Sequence, residues 1–106
     1  MSTSAIDTKV PLALDVRVTD DTLTVDLRDG RTLSVPLAWF PRLVHGTKDE
    51  RNRWRLVGRG QGIRWEELDE DIGVAGLLAG KPSGESQMSL AKWLRQRASA
   101  AESEET

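Results

Sequence analysis

The stretch Gly58-Arg59-Gly60-Gln61-Gly62-Ile63-Arg64-Trp65 (GRGQGIRW) decides how this chain folds and whether it carries chemistry. Glycines at every second position beside two arginines suit either a phosphate cradle or the bend between two strands. The flanks choose between them. Trp54 and Leu56 alternate with Arg55 and Val57 before the glycines, and Ile63 and Trp65 alternate with Arg64 and Glu66 after them. That period of two marks strands with one apolar face. A turn at Arg59-Gly60 sets Leu56 opposite Ile63 and Trp54 opposite Trp65, so the apolar faces coincide. A dinucleotide fingerprint needs its third glycine one residue later and a helix behind it, and a phosphate loop needs Gly-Lys-Ser or Gly-Lys-Thr. The glycines read as a hairpin corner, and a nucleotide-binding or hydrolytic enzyme ranks last among the functions.

The same parity organises the first half. Leu12, Leu14, Val16 and Val18 form one apolar face, and a turn at Asp20-Asp21 brings Val18 opposite Leu23 and Val16 opposite Val25. A two-residue loop at Asp29-Gly30 splits the next apolar set between faces. The three-residue loop Arg28-Asp29-Gly30 instead pairs Val25 with Leu33 and Leu23 with Val35, with Gly30 in the left-handed position. A three-stranded meander with one oily face needs helices to cover it.

Trp39, Phe40, Leu43 and Val44 line one side of a short helix that takes Pro41 in its first turn and ends at Gly46. Thr47-Lys48-Asp49-Glu50 is a capping box opening a helix to about Arg53. Leu68–Ile72 is assigned no element, and a short helix follows over Val74–Ala79. Ser86 caps a last helix whose Leu90, Trp93, Leu94, Ala98 and Ala101 form a stripe, with Lys92, Arg95 and Gln96 facing away. The expected fold class is α+β: an antiparallel meander of three strands plus a second hairpin, short helices packed on the sheet, and a C-terminal amphipathic helix. The expected organisation is a flexible N-terminus (1–8), an α+β core (9–80), a linker (81–85), the helix (86–101) and an acidic disordered tail (102–106).

Composition bounds the function. The 106 residues fit one domain, 38% apolar and 30% charged, with four tryptophans expected to dominate the core. The absence of cysteine excludes disulfides, thiolate metal sites and a thiol nucleophile. No basic N-terminal region precedes an apolar run and no apolar stretch nears the ~20 residues of a membrane span, so a cytoplasmic protein with no membrane partner is expected. A net charge of −2 argues against bulk attraction to nucleic acid, although most of the 15 cations are arginine.

The runs VPLAWFPRL and GQGIRWEELDEDIGVAGLLAG, with the arginine and tryptophan of ERNRW between them, resemble a bacterial family named domain of unknown function 2442. The resemblance covers about Leu12 to Gly80, and the extension KPSGESQMSLAKWLRQR is similar to that of a common subtype. Gly73 stands where a capping serine is frequent, and His45-Gly46 where small residues are usual. The resemblance implies a small α+β domain with a twisted antiparallel sheet and no assigned catalytic residues. Some relatives append a helix-turn-helix domain, which this sequence is read as lacking. Many are encoded beside another small protein, which implies an antitoxin-like role.

Each candidate for chemistry has a plainer account. His45, the single histidine, reads as a helix-end surface residue. Glu66, Glu67, Asp69, Glu70 and Asp71 lack the spacing of a calcium loop and read as solvated charge at a helix entry. Arg55, Arg59 and Arg64 are the candidate anion or nucleic-acid contacts, set against an outward ladder neutralised by nearby acids. Leu90, Trp93, Leu94 and Arg97 are the candidate partner contacts, set against docking of the helix on its own sheet. No catalytic residue, metal or cofactor is expected. The leading expectation is a non-catalytic interaction module that binds a small bacterial protein or a second copy. The alternative is a nucleic-acid-binding or transcription-accessory protein with an arginine-rich face.

Overall fold

The computed structural model describes residues 10–105, with side chains through Ala100. The fraying expected of the first eight residues and of Thr106, and the placement of Ala101 in the stripe, lie outside what is described, whereas over 102–105, expected to be part of a disordered tail, the backbone continues the last helix. Two antiparallel meanders build the body. The first runs β1 (Ala13–Val18), β2 (Thr22–Leu27) and β3 (Thr32–Pro36), and the second β4 (Trp54–Val57), β5 (Gly62–Trp65) and β6 (Glu70–Gly73). A 3₁₀ turn at Leu37–Trp39 and helices α1 (Pro41–Val44) and α2 (Lys48–Asn52) connect them; α3 (Val74–Leu78) and α4 (Gln87–Glu105) follow. The fold is α+β.

Parity predicts the pairing. Val16 lies opposite Val25 and Val18 opposite Leu23, Val25 opposite Leu33 and Leu23 opposite Val35, and Trp54 opposite Trp65 with Leu56 opposite Ile63. The Arg28-Asp29-Gly30 loop is closed by the Leu27 N–H donating to the Arg31 carbonyl at 2.8 Å, and Gly30 takes φ +94°. At the second corner Arg59 (φ +63°) and Gly60 (φ +108°) both turn left-handed, the signature of a type I′ hairpin turn.

The strand pattern fails at two places. In β1 the register shifts between Ala13 and Asp15, a bulge with Leu14 as the extra residue. Ala13 therefore joins Val16 inside, whereas Leu14 is 54% exposed. Beside the bulge, a Cβ on Gly60 would stand 2.5 Å from the Ala13 carbonyl oxygen, so only a glycine allows this approach. Gly60 is thus more than a corner, because it joins the second hairpin to β1. The other departure is β6, an edge strand in the segment assigned no element, which sets Ile72 opposite Ile63 and Glu70 opposite Trp65. Two acids hide its period of two. The acids also do not enter a helix, since α3 carries none in its first turn.

One apolar cluster unites both meanders, with Leu23 and Val25 from the first, Ile63, Trp65 and Ile72 from the second, and Leu37, Leu43, Leu68, Val74 and Trp93 around them. Of the four tryptophans, Trp65 and Trp93 are buried, whereas Trp39 and Trp54 are only partly covered. Val44, expected on the inner side of α1, is exposed at the end of this single-turn helix, whereas Leu43 is buried. Arg51, itself buried, closes the end of α1: Nε donates to the Leu43 carbonyl and Nη2 to the Val44 carbonyl, each at 2.8 Å. The Trp65 indole N–H in turn donates to the Arg51 carbonyl at 2.9 Å. The capping box is present, with the Glu50 N–H donating to Thr47 Oγ1 and the Thr47 N–H to Glu50 Oε1.

Candidate functional site

Two groups of side chains bear on function. On the outer face of the second meander Arg55 lies directly opposite Arg64. Two like charges side by side need counter-ions, and the acids from Glu66 to Asp71 supply them. Arg55 Nε donates to Glu66 at 2.9 Å, and Arg64 donates to Asp71 at 2.8 Å and to Asp69 at 3.0 Å. The hydrogen bond from Arg55 holds the Glu66 carboxyl below its ordinary range, and that from Arg64 does the same for Asp69. Arg59 sits at the tip of the turn and makes no ion pair among the described residues. The structure therefore brings two of the three candidate anion contacts together, already partnered, and places the third apart from them.

The second group surrounds Arg42 on α1. Its Nε donates to both oxygens of Glu85 at 2.9 Å, and its Nη1 donates to the Asp69 carbonyl at 3.0 Å. Arg42, Asp69, Glu70, Asp71, Glu85 and Ser89 line a groove of about 370 Å³. Glu70 shares the inner face of β6 with Ile72, and burial pushes its carboxyl up to about 7. Arg42 opposes that shift, while Glu85, Asp71 and Asp69 reinforce it. A carboxyl titrating near neutrality suits proton transfer in principle. The Ser89 hydroxyl, which lines the same groove, donates to Glu85 at 2.8 Å, a carboxylate that Arg42 holds below its ordinary range and so makes a poor base. Among the described residues no group of three or more His, Cys, Asp or Glu side chains could hold a metal ion.

This groove borders the seat of α4. Ser86 Oγ accepts the Ser89 N–H at 3.1 Å and starts the helix. Leu90, Trp93, Leu94 and Arg97 then share one face, and that face lies on the chain's own body. Trp93 is buried in the common core, with Leu90 and Leu94 packed against it. The Arg42 and Arg97 guanidiniums both lie over its ring, 4.9 and 4.8 Å from the centroid. Arg97 also forks onto Glu50, at 2.9 and 3.2 Å, and this holds the Glu50 carboxyl below its ordinary range. The segment ahead of the helix, read as a linker, is anchored by the Ser83 N–H on the Trp39 carbonyl at 2.9 Å and by Glu85 on Arg42.

Sequence reasoning names the α4 face, takes Glu70 for solvated charge although it is partly buried, and misses the pairing of Arg42 with Glu85. Glu70 had a signal: a strand over Leu68–Ile72 puts it on the side of Ile72. Arg42 and Glu85 are 43 residues apart, and no periodicity links them.

No curated protein matches the chain. A protein of unknown function from Rhodospirillum rubrum, known from its crystal structure, superposes with a TM-score of 0.65 at 29% identity, covering 76% of this chain and 99% of that one. An uncharacterised protein from Chromobacterium violaceum, solved by NMR, superposes with a TM-score of 0.63 at 18% identity, covering 86% of this chain and 84% of that one, a likeness of fold alone. Residues 13–83 match the family described as Protein of unknown function (DUF2442), from the first residue of β1 to the anchor at Ser83, ahead of α4. By that match the chain belongs to the DUF2442 family.

Proposed function

We propose that this chain is a non-catalytic protein-interaction module, antitoxin-like in that it works by capturing a second small bacterial protein, with Leu90, Trp93, Leu94 and Arg97 as the contact face. The observation that carries this reading is how α4 is held. The helix lies beyond the span shared with the family and rests on the body through one buried indole and a few side chains. A face seated so sparingly can exchange its own body for a partner, with Trp93 as the anchor. The reading needs neither cofactor nor membrane, and no helix among the described residues is long and apolar enough to cross one. A cytoplasmic setting fits it. The nucleic-acid alternative is weakened by the carboxylates that occupy Arg55 and Arg64.

Affinity purification from the native cell tests the proposal. A small protein recovered in stoichiometric amount with the full chain, and lost when residues 86–106 are removed, is the expected result. A partner retained by the shortened chain counts against it. Nucleic acid recovered instead, with binding that weakens steeply as salt rises, favours the alternative.

A further inference from the structure

We infer that α4 is a hinged arm that opens and recloses as a unit while the two-meander body stays folded, with Glu85 as the pivot and Trp93 as the bolt. The body is the span that the family shares, since the family match ends at Ser83, ahead of the arm. Among the described residues no backbone hydrogen bond joins α4 to the body, and the last such contact, from Ser83 to Trp39, comes before the helix begins. Trp93 is the buried residue of the described part of the helix, while Met88 is 83% exposed.

Polar accounting favours a clean opening. Glu50 is shared, since its Oε1 accepts the Thr47 N–H at 2.8 Å as well as Arg97 at 2.9 Å. When Arg97 leaves, that carboxylate keeps its capping-box partner. Arg42 keeps the Glu85 fork and the Asp69 carbonyl, neither of which belongs to the helix. No buried charge is orphaned on the body, and the cost of opening falls on withdrawing the Trp93 indole from the core and from the Arg42 guanidinium, and on parting Arg97 from Glu50. Sub-global opening of this kind is expected where a segment has few buried contacts. The inference concerns the free chain and holds with or without a partner.

Amide hydrogen exchange on the full chain, followed by NMR, tests it. The expected result is measurable protection over residues 90–97, weaker than that of β2 and β5. Trp93→Ala should then speed exchange over 90–97 by roughly a hundredfold, and Arg97→Ala by several-fold, with β2 and β5 unchanged. If 90–97 exchange only together with β2 and β5, and both variants speed all three alike, the arm does not open independently. Complete lack of protection over 90–97 also overturns the inference, because no closed state then exists. Should Trp93→Ala fail to fold, Arg97→Ala, which leaves the indole in place, makes the same distinction.

Discussion

The guanidinium of Arg42 stands 4.9 Å from the centroid of the Trp93 ring while its Nε donates to both carboxylate oxygens of Glu85. One side chain on the one-turn helix α1 thus holds the segment before α4 by charge and the helix itself by its aromatic face. Arg42 is 14% exposed and Glu85 9%, so solvent screens the pair weakly. Arg42→Ala should cost about 2–4 kcal/mol in urea denaturation, because Glu85 is left covered and unpaired. Arg42→Lys should recover less than half of that, since a point charge cannot fork onto Glu85 and also reach the Asp69 carbonyl. Full recovery by lysine would show that charge alone matters.

Glu70 makes stability fall toward alkaline pH. Burial raises its carboxyl from 4.5 to about 7, so between those values the folded chain keeps a proton that the unfolded chain has released. The stabilisation is full below about pH 4.5 and is lost as pH rises through about 7. Glu70→Gln removes the titration. Allowing for solvent screening at this half-covered site, it should be about 1 kcal/mol more stable than the parent at pH 8 and nearly equal at pH 5. Denaturation at the two pH values checks this, and a gain of the same size at both would point to packing instead.

Arg51 and Asp20 form an ion pair at 2.9 Å in which the aspartate side chain is 99% exposed. The pair should contribute little, with Asp20→Ala costing about 0–1 kcal/mol. Arg51→Ala should cost about 2–4 kcal/mol, because it strands the Leu43 and Val44 carbonyls that its guanidinium satisfies. Equal losses in thermal or urea melts would move the credit from the carbonyls to the ion pair.

Two glycines separate close approach from mere turning. Gly60→Ala should be strongly destabilising, by about 2 kcal/mol or more, since it brings a Cβ within 2.5 Å of the Ala13 carbonyl oxygen at a φ of +108°. Gly73 precedes α3 with nothing within 4 Å of a Cβ placed there. Gly73→Ser should therefore be accommodated and add a few tenths of a kcal/mol as a helix cap. Melting temperatures of the two variants check both signs.

What the sequence made legible was whatever repeats locally. Pairings such as Val16 with Val25 and Arg55 with Arg64 follow from a period of two and a turn of known length. The Thr47–Glu50 box lies within a single helical turn. Leu14 broke the pattern because it is the extra residue of a bulge, which leaves no mark in hydropathy. β6 escaped because Glu70 occupies an inward position where a strand ordinarily carries an apolar side chain. The α4 face could be named from its stripe, but its seat could not, since Arg97 meets Glu50 across 47 residues. Such ion pairs leave no periodic trace.

The two glycine corners, so alike on paper, set different limits on engineering. Gly30 has open space around it, with nothing within 4 Å of a Cβ position, so the Arg28-Asp29-Gly30 corner can accept an inserted tag or a spectroscopic label. The Arg59-Gly60 corner is wedged against Ala13. Lengthening it would pry the second meander off the first.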